Sequence, residues 1–352
     1  MKSPVYITGA SMIGPQPGFD RDGLERVVRY DAHPLKSIEP DLKRYIDPMR
    51  GRRMAKVARI GIGCGLNALE RAGVQVPEAI IVGTGLGCME STERFFGSMI
   101  QQDEMLPNPT AFIQSTHNNV AGQLALAVKC TGANFTYLHR GLSFTSALLD
   151  GLVQVGLEGA RHVLVGGAEV ITEDYFITQR HSGIWKQGSV TNLEVLNSAD
   201  RGALCGEGAA FFVLDAQPRG ERPVRLADAD IAYRGGAEGM AARIEEFLQR
   251  NGLQSADIDL LMVGRGGDAE LDQAYGPVEA LFPDATVAAF KHLCGEFYVA
   301  NAFGTWLTWS ALATGALPAE AVLRGVPDRP FRTALLCDHF QLKDHSLVLL
   351  RS

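Results

Sequence analysis

The hydrophobic positions of this chain follow two spacings in turn, and their order predicts an α/β protein. Continuous apolar runs, such as residues 78–87, are typical of strands buried in the middle of a sheet. Stretches with an apolar residue every three or four positions predict amphipathic helices, and the one at residues 52–73 ends at a glycine cap. Residues 174–200 lack a clear period, so we expect a long irregular segment there.

The clearest unit lies at residues 132–168. Residues 134–138 predict a strand, Gly141 stands at the apex of an abrupt turn, and a helix continues to about residue 156. A second strand, residues 162–165, then runs into two glycines. We call this strand–turn–helix unit the elbow. It brings one residue to a helix N-terminus, where free N–H groups and the helix dipole stabilise negative charge and can activate a nucleophile.

The order of elements repeats in the second part of the chain. The apolar strand at residues 258–267 matches that at 79–87, and residues 332–340 match 161–169 in the same way. We therefore divide the chain into a first half (1–216), a linker (217–223) and a second half (224–352). Two duplicated halves of this kind predict a five-layered α-β-α-β-α body.

Composition narrows the classes of function. The chain has 352 residues, of which 46% are hydrophobic and 21% charged, as expected for a globular protein with a substantial core. The net charge of −7 and the absence of an evident Lys/Arg block argue against nucleic acid as a ligand. The chain begins directly with a strand, without a leader or a long apolar span, so we expect a cytoplasmic protein with no membrane segment.

Cysteines and glycine loops give no sign of a metal or cofactor. The six cysteines are scattered without a C-x-x-C pair, so we expect free, mostly buried thiols and no metal site. The run GTGLG at residues 83–87 lacks the full dinucleotide fingerprint and is better explained as a strand-end turn. We therefore predict no cofactor.

The elbow unit keeps a set of residues at fixed spacing: Gly132, Asn134, Thr136, Asp150, Gly166, Gly167, Ala168 and Glu169. This set resembles the ketosynthase family of the thiolase superfamily, and the resemblance extends over nearly the whole chain. It implies the thiolase-like α/β fold. It also implies that a second set, which ties the halves together in the family, is retained: Asp200, Arg201, Gly206, Glu207 and Gly208.

The resemblance implies a catalytic cysteine and two histidines, and this chain carries none of them at the matching positions. The cysteine position falls on Gly141, the first histidine position on Gly264 and the second on Glu296. The lysine that precedes the second histidine is retained as Lys291, and Asp272 matches a following aspartate. This chain alone is therefore predicted to have no condensing activity.

The family's glycine-rich gate is replaced as well. Its pattern G-F-G-G-x-N becomes FQLKDH at residues 340–345. Since Leu342 and Lys343 stand in place of glycines, we expect a stiffer loop.

Retained architecture without catalytic residues is similar to the chain length factor, the inactive partner of the ketosynthase in type II polyketide systems. The resemblance implies a heterodimer or a dimer of heterodimers, paired through the strand before the elbow and served by an acyl carrier protein. Well-known chain length factors carry glutamine where this chain has Gly141. The short length is similar to the partner subunits of aryl-polyene synthases. Candidate tunnel and interface residues are Phe112, Asn134, Phe135, Thr136, Tyr137, Leu138 and Phe144.

Other functions remain open at this point. Ser143 in GLSFT could be an esterase nucleophile with His139 nearby, giving a homodimeric thioester hydrolase, although a helix-capping serine fits the pattern better. Lys291 and Glu296 could act in acid–base catalysis, although a buried ion pair is the better reading because no nucleophile accompanies them. A stand-alone acyl-thioester binding protein is the third alternative.

Overall fold

The computed structural model describes residues 3–105, 109–233, 236, 238–325 and 329–352. In these residues eleven strands alternate with eleven helices. The strands are β1 (Tyr6–Ile13), β2 (Ala79–Gly83), β3 (Ala133–Tyr137), β4 (His162–Glu169), β5 (Gly208–Asp215), β6 (Val224–Tyr233), β7 (Leu260–Val263), β8 (Thr286–Ala289), β9 (Val322–Arg324), β10 (Thr333–Phe340) and β11 (Asp344–Arg351). The helices are α1 (Pro48–Gly51), α2 (Lys56–Ala72), α3 (Met89–Gln101), α4 (Pro109–Gln114), α5 (Asn119–Val128), α6 (Ser143–Val153), α7 (Glu173–His181), α8 (Glu238–Arg250), α9 (Tyr275–Ala280), α10 (Lys291–Cys294) and α11 (Ala300–Thr314).

Both halves use one strand order, which confirms the predicted duplication. The first half is ordered β3-β2-β4-β5-β1 and the second β8-β7-β10-β11-β6, with the short β9 added beyond β8. The first strands of the two halves also pair with each other, through Tyr6 with Arg225 and Ile7 with Val224. The two half-sheets therefore join at this seam into one eleven-stranded sheet.

The helices form three layers around the two half-sheets. Helices α2 and α5 cover the outer face of the first half-sheet, and α8 and α9 cover the outer face of the second. Helices α6 and α11 lie between the half-sheets. Successive strand residues face different layers: Phe211 points to the outer core and Phe212 to the central one. This is the predicted five-layered thiolase-like body.

The backbones of the two halves meet beside the retained motifs. The Glu296 amide donates to the Leu204 carbonyl at 2.7 Å, and the Gly206 amide donates to the Glu296 carbonyl at 3.2 Å. Next to this junction the buried Glu207 carboxylate accepts hydrogen bonds from the amide and hydroxyl of Ser37. The two backbone hydrogen bonds hold Leu204 and Gly206 of the first half against Glu296, which follows α10 in the second half.

The expected irregular segment contains a helix, α7, which corrects the sequence prediction. Thr172 caps it by accepting a hydrogen bond from the Tyr175 amide at 3.4 Å, and Glu173 begins a first turn that is acidic. These are ordinary capping signals. The spacing of hydrophobic residues does not predict this helix, because none of its residues is buried and it therefore has no apolar stripe.

Several further expectations concern connections and side chains. Residues 217–223 contain no helix or strand and connect β5 to β6. The first strand of the second half, β6, ends at Tyr233. All six cysteines are free, and all but Cys130 are buried. In the described part of the chain, no helix combines the length and apolar character needed to cross a membrane.

Candidate functional site

The predicted elbow is present. Strand β3 ends at Tyr137, a 3₁₀ turn spans Arg140–Leu142, and α6 follows directly. Arg140, immediately before Gly141, has φ of +49°, a left-handed conformation that costs about 1 kcal/mol for a residue with a side chain. Strained turns of this kind present the next residue sharply at the start of a helix.

The space in front of Gly141 is filled by two residues of the second half. A Cβ atom at this position would lie 2.4 Å from the Cβ of Phe340 and 3.1 Å from that of Asp344, so a cysteine does not fit. The Gly141 amide donates to Asp344 Oδ2 at 3.1 Å. The nucleophile's position and its anion-stabilising amide are thus both occupied by the protein itself.

Phe340 and Asp344 belong to the hairpin between β10 and β11. Its turn is closed by a hydrogen bond from the Lys343 amide to the Phe340 carbonyl at 3.1 Å. Gln341 and Leu342 both have φ of +53°, a conformation that glycine adopts without strain. In the predicted gate region the chain therefore forms a tight turn of residues with side chains.

The first histidine position is also filled. A Cβ atom at Gly264 would lie 2.0 Å from Asp338 Oδ1 and 2.6 Å from the Tyr275 hydroxyl. The neighbouring Arg265 is engaged by Glu279, with its Nε 2.6 Å from Oε1. Residue 264 therefore carries no imidazole, and Asp338 and Tyr275 occupy the space that one would need.

The second histidine position belongs to a buried charged cluster. Lys291 Nζ lies 2.7 Å from Glu296 Oε2 and 2.6 Å from Asp338 Oδ1, and it donates to the His339 carbonyl at 2.8 Å. The predicted Lys291–Glu296 ion pair is thus present, with Asp338 as an additional member. We call Lys291, Glu296 and Asp338 the charged cluster.

The charged cluster has one cation for two carboxyl groups, both buried. Burial raises the pKa of Glu296 from its ordinary value of 4.5 to about 7, although the ammonium of Lys291 opposes this. Burial likewise raises the pKa of Asp338. Burial alone would lower the pKa of Lys291, but the carboxylates of Asp338 and Glu296 outweigh it and raise that pKa. The cluster therefore has the contacts expected of the predicted buried ion pair.

The predicted helix-capping role of Ser143 is wrong: α6 has Leu142 at its N-cap position and no side-chain cap hydrogen bond, and Ser143 instead holds the turn before the helix. Its hydroxyl donates to the Arg140 carbonyl at 2.7 Å and accepts from the His139 amide at 2.8 Å, and its side chain is buried. The His139 ring instead faces Ser146, with Nδ1 3.5 Å from the hydroxyl. A serine with both hydrogen-bonding capacities used, and no base beside it, is not set up for attack on a thioester.

The cysteines near the retained motifs are not nucleophiles either. Burial raises the pKa of the Cys205 and Cys294 thiols well above the ordinary value, which keeps them protonated. Among the described residues there is also no group of three or more His, Cys, Asp or Glu side chains placed to hold a metal ion.

The predicted tunnel and interface residues divide into exposed and buried ones. Phe112, Phe135 and Leu138 are exposed, with Phe135 on β3 at one edge of the sheet. Tyr137 turns inward and donates to Asp150 Oδ2 at 3.1 Å. Phe144 lies apart from this edge, fully buried in the central core against Phe212, and offers no surface.

Asn134 and Thr136 point to the opposite face of β3. The Asn134 side-chain amide donates to the Ala121 carbonyl of α5 at 2.9 Å. The Thr136 hydroxyl is buried and has no hydrogen-bond partner in the described residues. Both side chains therefore help to seat β3 against α5.

Exposed apolar side chains concentrate around the β3 edge. Of the sixteen exposed large hydrophobic residues in the described chain, eight fall between residues 96 and 138, on or beside α3, α4, α5 and β3. A concentration of this kind on one surface indicates an interaction site. We call these eight residues the apolar face: Phe96, Ile100, Met105, Phe112, Ile113, Leu126, Phe135 and Leu138.

Three arginines beside α1 form an exposed basic strip that the overall charge of the chain does not indicate. Arg50, Arg52 and Arg53 are all exposed at the end of α1, and none of them forms an ion pair with another described residue. The signal was present in the run PMRGRRMAK, but acidic residues elsewhere give the whole chain its net charge of −7.

Comparison with known proteins agrees with this architecture. Residues 29–195 match the family described as beta-ketoacyl synthase, N-terminal domain. Over 137 residues the chain is 25% identical to 3-oxoacyl-[acyl-carrier-protein] synthase 2 of Vibrio cholerae serotype O1, covering 37% of this chain and 31% of that protein. The same enzyme of Vibrio harveyi is 23% identical over 192 residues, covering 48% and 44%. The matched region thus spans less than half of either relative.

Solved structures extend the similarity to the whole chain. The ishigamide ketosynthase/chain length factor is matched with a TM-score of 0.81, 16% identity and full coverage of both chains. The chain has the ketosynthase fold. A complex of the ketosynthase ApeO with its chain length factor ApeC, from Xenorhabdus doucetiae, gives a TM-score of 0.75 at 14% identity, covering 99% of this chain and 98% of that one. On this fold the space in front of Gly141 is filled by Phe340 and Asp344.

Proposed function

We propose that this chain is a non-catalytic ketosynthase-like subunit, a chain length factor, that pairs with an active ketosynthase and closes part of the tunnel in which the acyl chain grows. The observation that carries the proposal is the closed elbow. A subunit whose Gly141 is covered by Phe340 and Asp344 has no side chain at the elbow to hold an acyl group and no room for one there. The chemistry must therefore come from a partner.

The β3 edge supplies the surface for that partner. In the described chain β3 pairs with β2 on one side only, so its outer backbone groups are unpaired. An equivalent strand of a similar subunit could pair there about a pseudo-two-fold axis, which would continue the sheet from one subunit into the other. The apolar face lies around this edge and would be buried with it.

A ketosynthase is the occupant that fits best. It would carry the same fold and the same edge, so the two surfaces would be complementary by pseudo-symmetry. It would also supply the cysteine and histidines that this chain lacks. The structures of ketosynthase/chain length factor pairs named above support this choice over a second copy of the present chain, because a homodimer would have glycine at the elbow of both subunits.

We expect this chain to co-purify in a 1:1 ratio with a ketosynthase encoded beside it. Replacing Phe135 with aspartate should abolish the association, because it places a charge in the middle of the buried edge. The matched control is Leu323→Asp on β9, the opposite edge of the sheet, where a large apolar residue is also exposed. Size-exclusion chromatography with light scattering would measure both.

Two results would overturn the assignment. One is an intact complex in the Phe135→Asp variant. The other is turnover of an acyl thioester by this chain alone, especially turnover lost in Ser143→Ala, since that would favour a hydrolase. Loss of activity only when the partner's cysteine is replaced would agree with the proposal.

Control of product length is the narrower part of the proposal. Phe112 packs on Phe95 with ring centroids 5.3 Å apart, and more than half of its surface is exposed on the apolar face. In the unaltered chain, each methylene added beyond the length that fits would clash with Phe112 at a cost of about 1 kcal/mol, provided that the partner's tunnel reaches this face. Replacing Phe112 with alanine removes the clash and should lengthen the products by one or more units. Mass spectrometry of products from the assembled complex would test this, with Leu323→Ala as the control. Unchanged lengths for both Phe112→Ala and Phe135→Ala would remove these residues from the tunnel.

The carrier protein and the product class are finer proposals. The exposed arginines of the basic strip could contact an acidic carrier protein, which would deliver substrate to the complex. A role in aryl-polyene synthesis rests on similarity in length alone, and the products of the reconstituted pair would decide it.

A further inference from the structure

The charged cluster connects directly to the hairpin that closes the elbow. Asp338 lies in β10 only two residues before Phe340, which covers Gly141. Lys291 donates to the backbone carbonyl of His339, between them. Any movement that lifts Phe340 from the elbow must therefore disturb the contacts of Lys291.

The charge balance of the cluster favours an additional proton. With Glu296 and Asp338 both ionised, one ammonium would face two carboxylates and leave a net negative charge in a buried site. With one carboxyl protonated, the cluster is neutral. A net charge in the interior is costly, whereas carboxyls exposed to water ionise freely.

Other titratable groups surround the cluster from each packed element. They are Tyr275 of α9, Cys337 and His339 of β10, His345 of β11, Cys294 of α10, Cys205 of the first half, and Asp272 in the turn before α9. Burial raises the pKa of the phenol and thiols and lowers the pKa of both imidazoles, which favours the neutral form of each group. Burial also raises the pKa of Asp272, whose carboxylate accepts hydrogen bonds from the amides of Gly266 and Gly267, and Arg265 and Arg243 lie at the periphery. Among the groups named here, Glu296 and Asp338 are the two carboxyls that contact Lys291.

We propose that the closed hairpin is proton-linked: Glu296 and Asp338 share one proton while Phe340 and Asp344 cover the elbow, and release of that proton accompanies lifting of the hairpin. The closed state would then be favoured at low pH. The strained turn at Gln341 and Leu342 lowers the cost of lifting, because its two left-handed residues can relax in the open form. This proton linkage would determine how readily the hairpin lifts from Gly141, whether or not a partner is bound.

The pH window follows from the two states of Glu296. In the closed state burial raises its pKa to about 7, and the proposal requires that lifting the hairpin admits water and lets this pKa fall towards its ordinary value of 4.5. Between these values the closed state binds the additional proton and the open state does not. Opening should therefore increase with pH between 4.5 and about 7, by at most about tenfold per pH unit, and then level off.

Hydrogen exchange of the full-length chain between pH 5 and pH 8 would test this. We expect the protection factors of amides in the hairpin, corrected for the intrinsic rate at each pH, to fall at least about tenfold between pH 5 and pH 7 and to remain constant above that. Glu296→Gln should abolish this dependence, because it keeps an acceptor for Lys291 and leaves one carboxylate per ammonium. Asp338→Asn is a second variant with the same expected result, should the first fail to fold.

Glu169→Gln is the matched control. Glu169 is also a buried carboxyl whose pKa burial raises to about 7, but its hydrogen-bond donors are Thr84, Gly85 and Leu86, none of which belongs to the hairpin or to the charged cluster. This variant should retain the pH dependence of the hairpin. Protection in the unaltered chain that does not change with pH would overturn the proposal, and so would an unaltered dependence in both cluster variants. Neither result would bear on the pairing with a ketosynthase, which the co-purification experiment tests separately.

Discussion

Replacing Lys291 with methionine is expected to lower the free energy of unfolding by about 3–5 kcal/mol, the largest effect of any single substitution considered for this chain. Among the described residues Lys291 is the only cation within ion-pair distance of Glu296 and Asp338, so the change leaves two carboxyl groups without a counter-charge in the interior. Methionine fills most of the volume of the lysine stem, so the loss would report mainly on charge. Chemical denaturation of both proteins would measure it.

This loss should depend on pH in a definite direction. A carboxyl whose pKa is raised in the folded state favours folding below its ordinary pKa, and that contribution is lost as the pH rises through the folded-state value. Without Lys291 the folded-state pKa values of Glu296 and Asp338 should rise further. The variant should therefore approach the stability of the unaltered chain near pH 4.5 and fall furthest behind it above pH 7. A loss of less than 1 kcal/mol at pH 8 would contradict the structural role given to the cluster.

Restoring a cysteine to the elbow is not expected to restore chemistry. In a Gly141→Cys variant the new Cβ would meet the Cβ of Phe340 at 2.4 Å, so the hairpin or the elbow must move. Overpacking of this kind costs about 1–3 kcal/mol. We expect a lower unfolding temperature and no acylation of the new thiol by acyl carrier substrates or by a small alkylating reagent.

Two further variants make this result interpretable. Gly97→Cys places a thiol on α3 where no atom lies within 4 Å of the new Cβ, so it should react with the alkylating reagent at little cost in stability. Combining Gly141→Cys with Phe340→Gly removes the clashing side chain and should recover part of the lost stability. Rapid acylation of the new thiol in the Gly141→Cys single variant would show that the elbow is open, contrary to the packing described.

Much of the fold could be predicted because its signals are local and repeated. The strand and helix periods occur twice in the same order, and the two half-sheets repeat that order as β3-β2-β4-β5-β1 and β8-β7-β10-β11-β6. The elbow could be predicted because an apolar strand, a glycine and an apolar helix follow one another directly. Helix α7 was missed since it buries no residue and has only its caps to identify it.

The candidate site was predictable only in part, because its contacts join distant segments of the chain. Lys291 and Glu296 are five residues apart in a recognisable motif, so their pairing could be predicted. Asp338 joins them from β10, and no local pattern indicates that. The same holds for Phe340 and Asp344, which reach Gly141 from about 200 residues away. The sequence indicates that the nucleophile is missing, but only the packing explains why it cannot simply be replaced.

The two ends of the sheet differ in a way that limits how large an assembly can grow. Strand β3 presents five residues with an open side, whereas β9 at the far end has only three, which pair with β8 on their inner side. A polymer built by adding strand to strand needs two extended open edges on every protomer. Because one of the two edges is this short, we expect strand addition to favour a single neighbour over growth of a fibre.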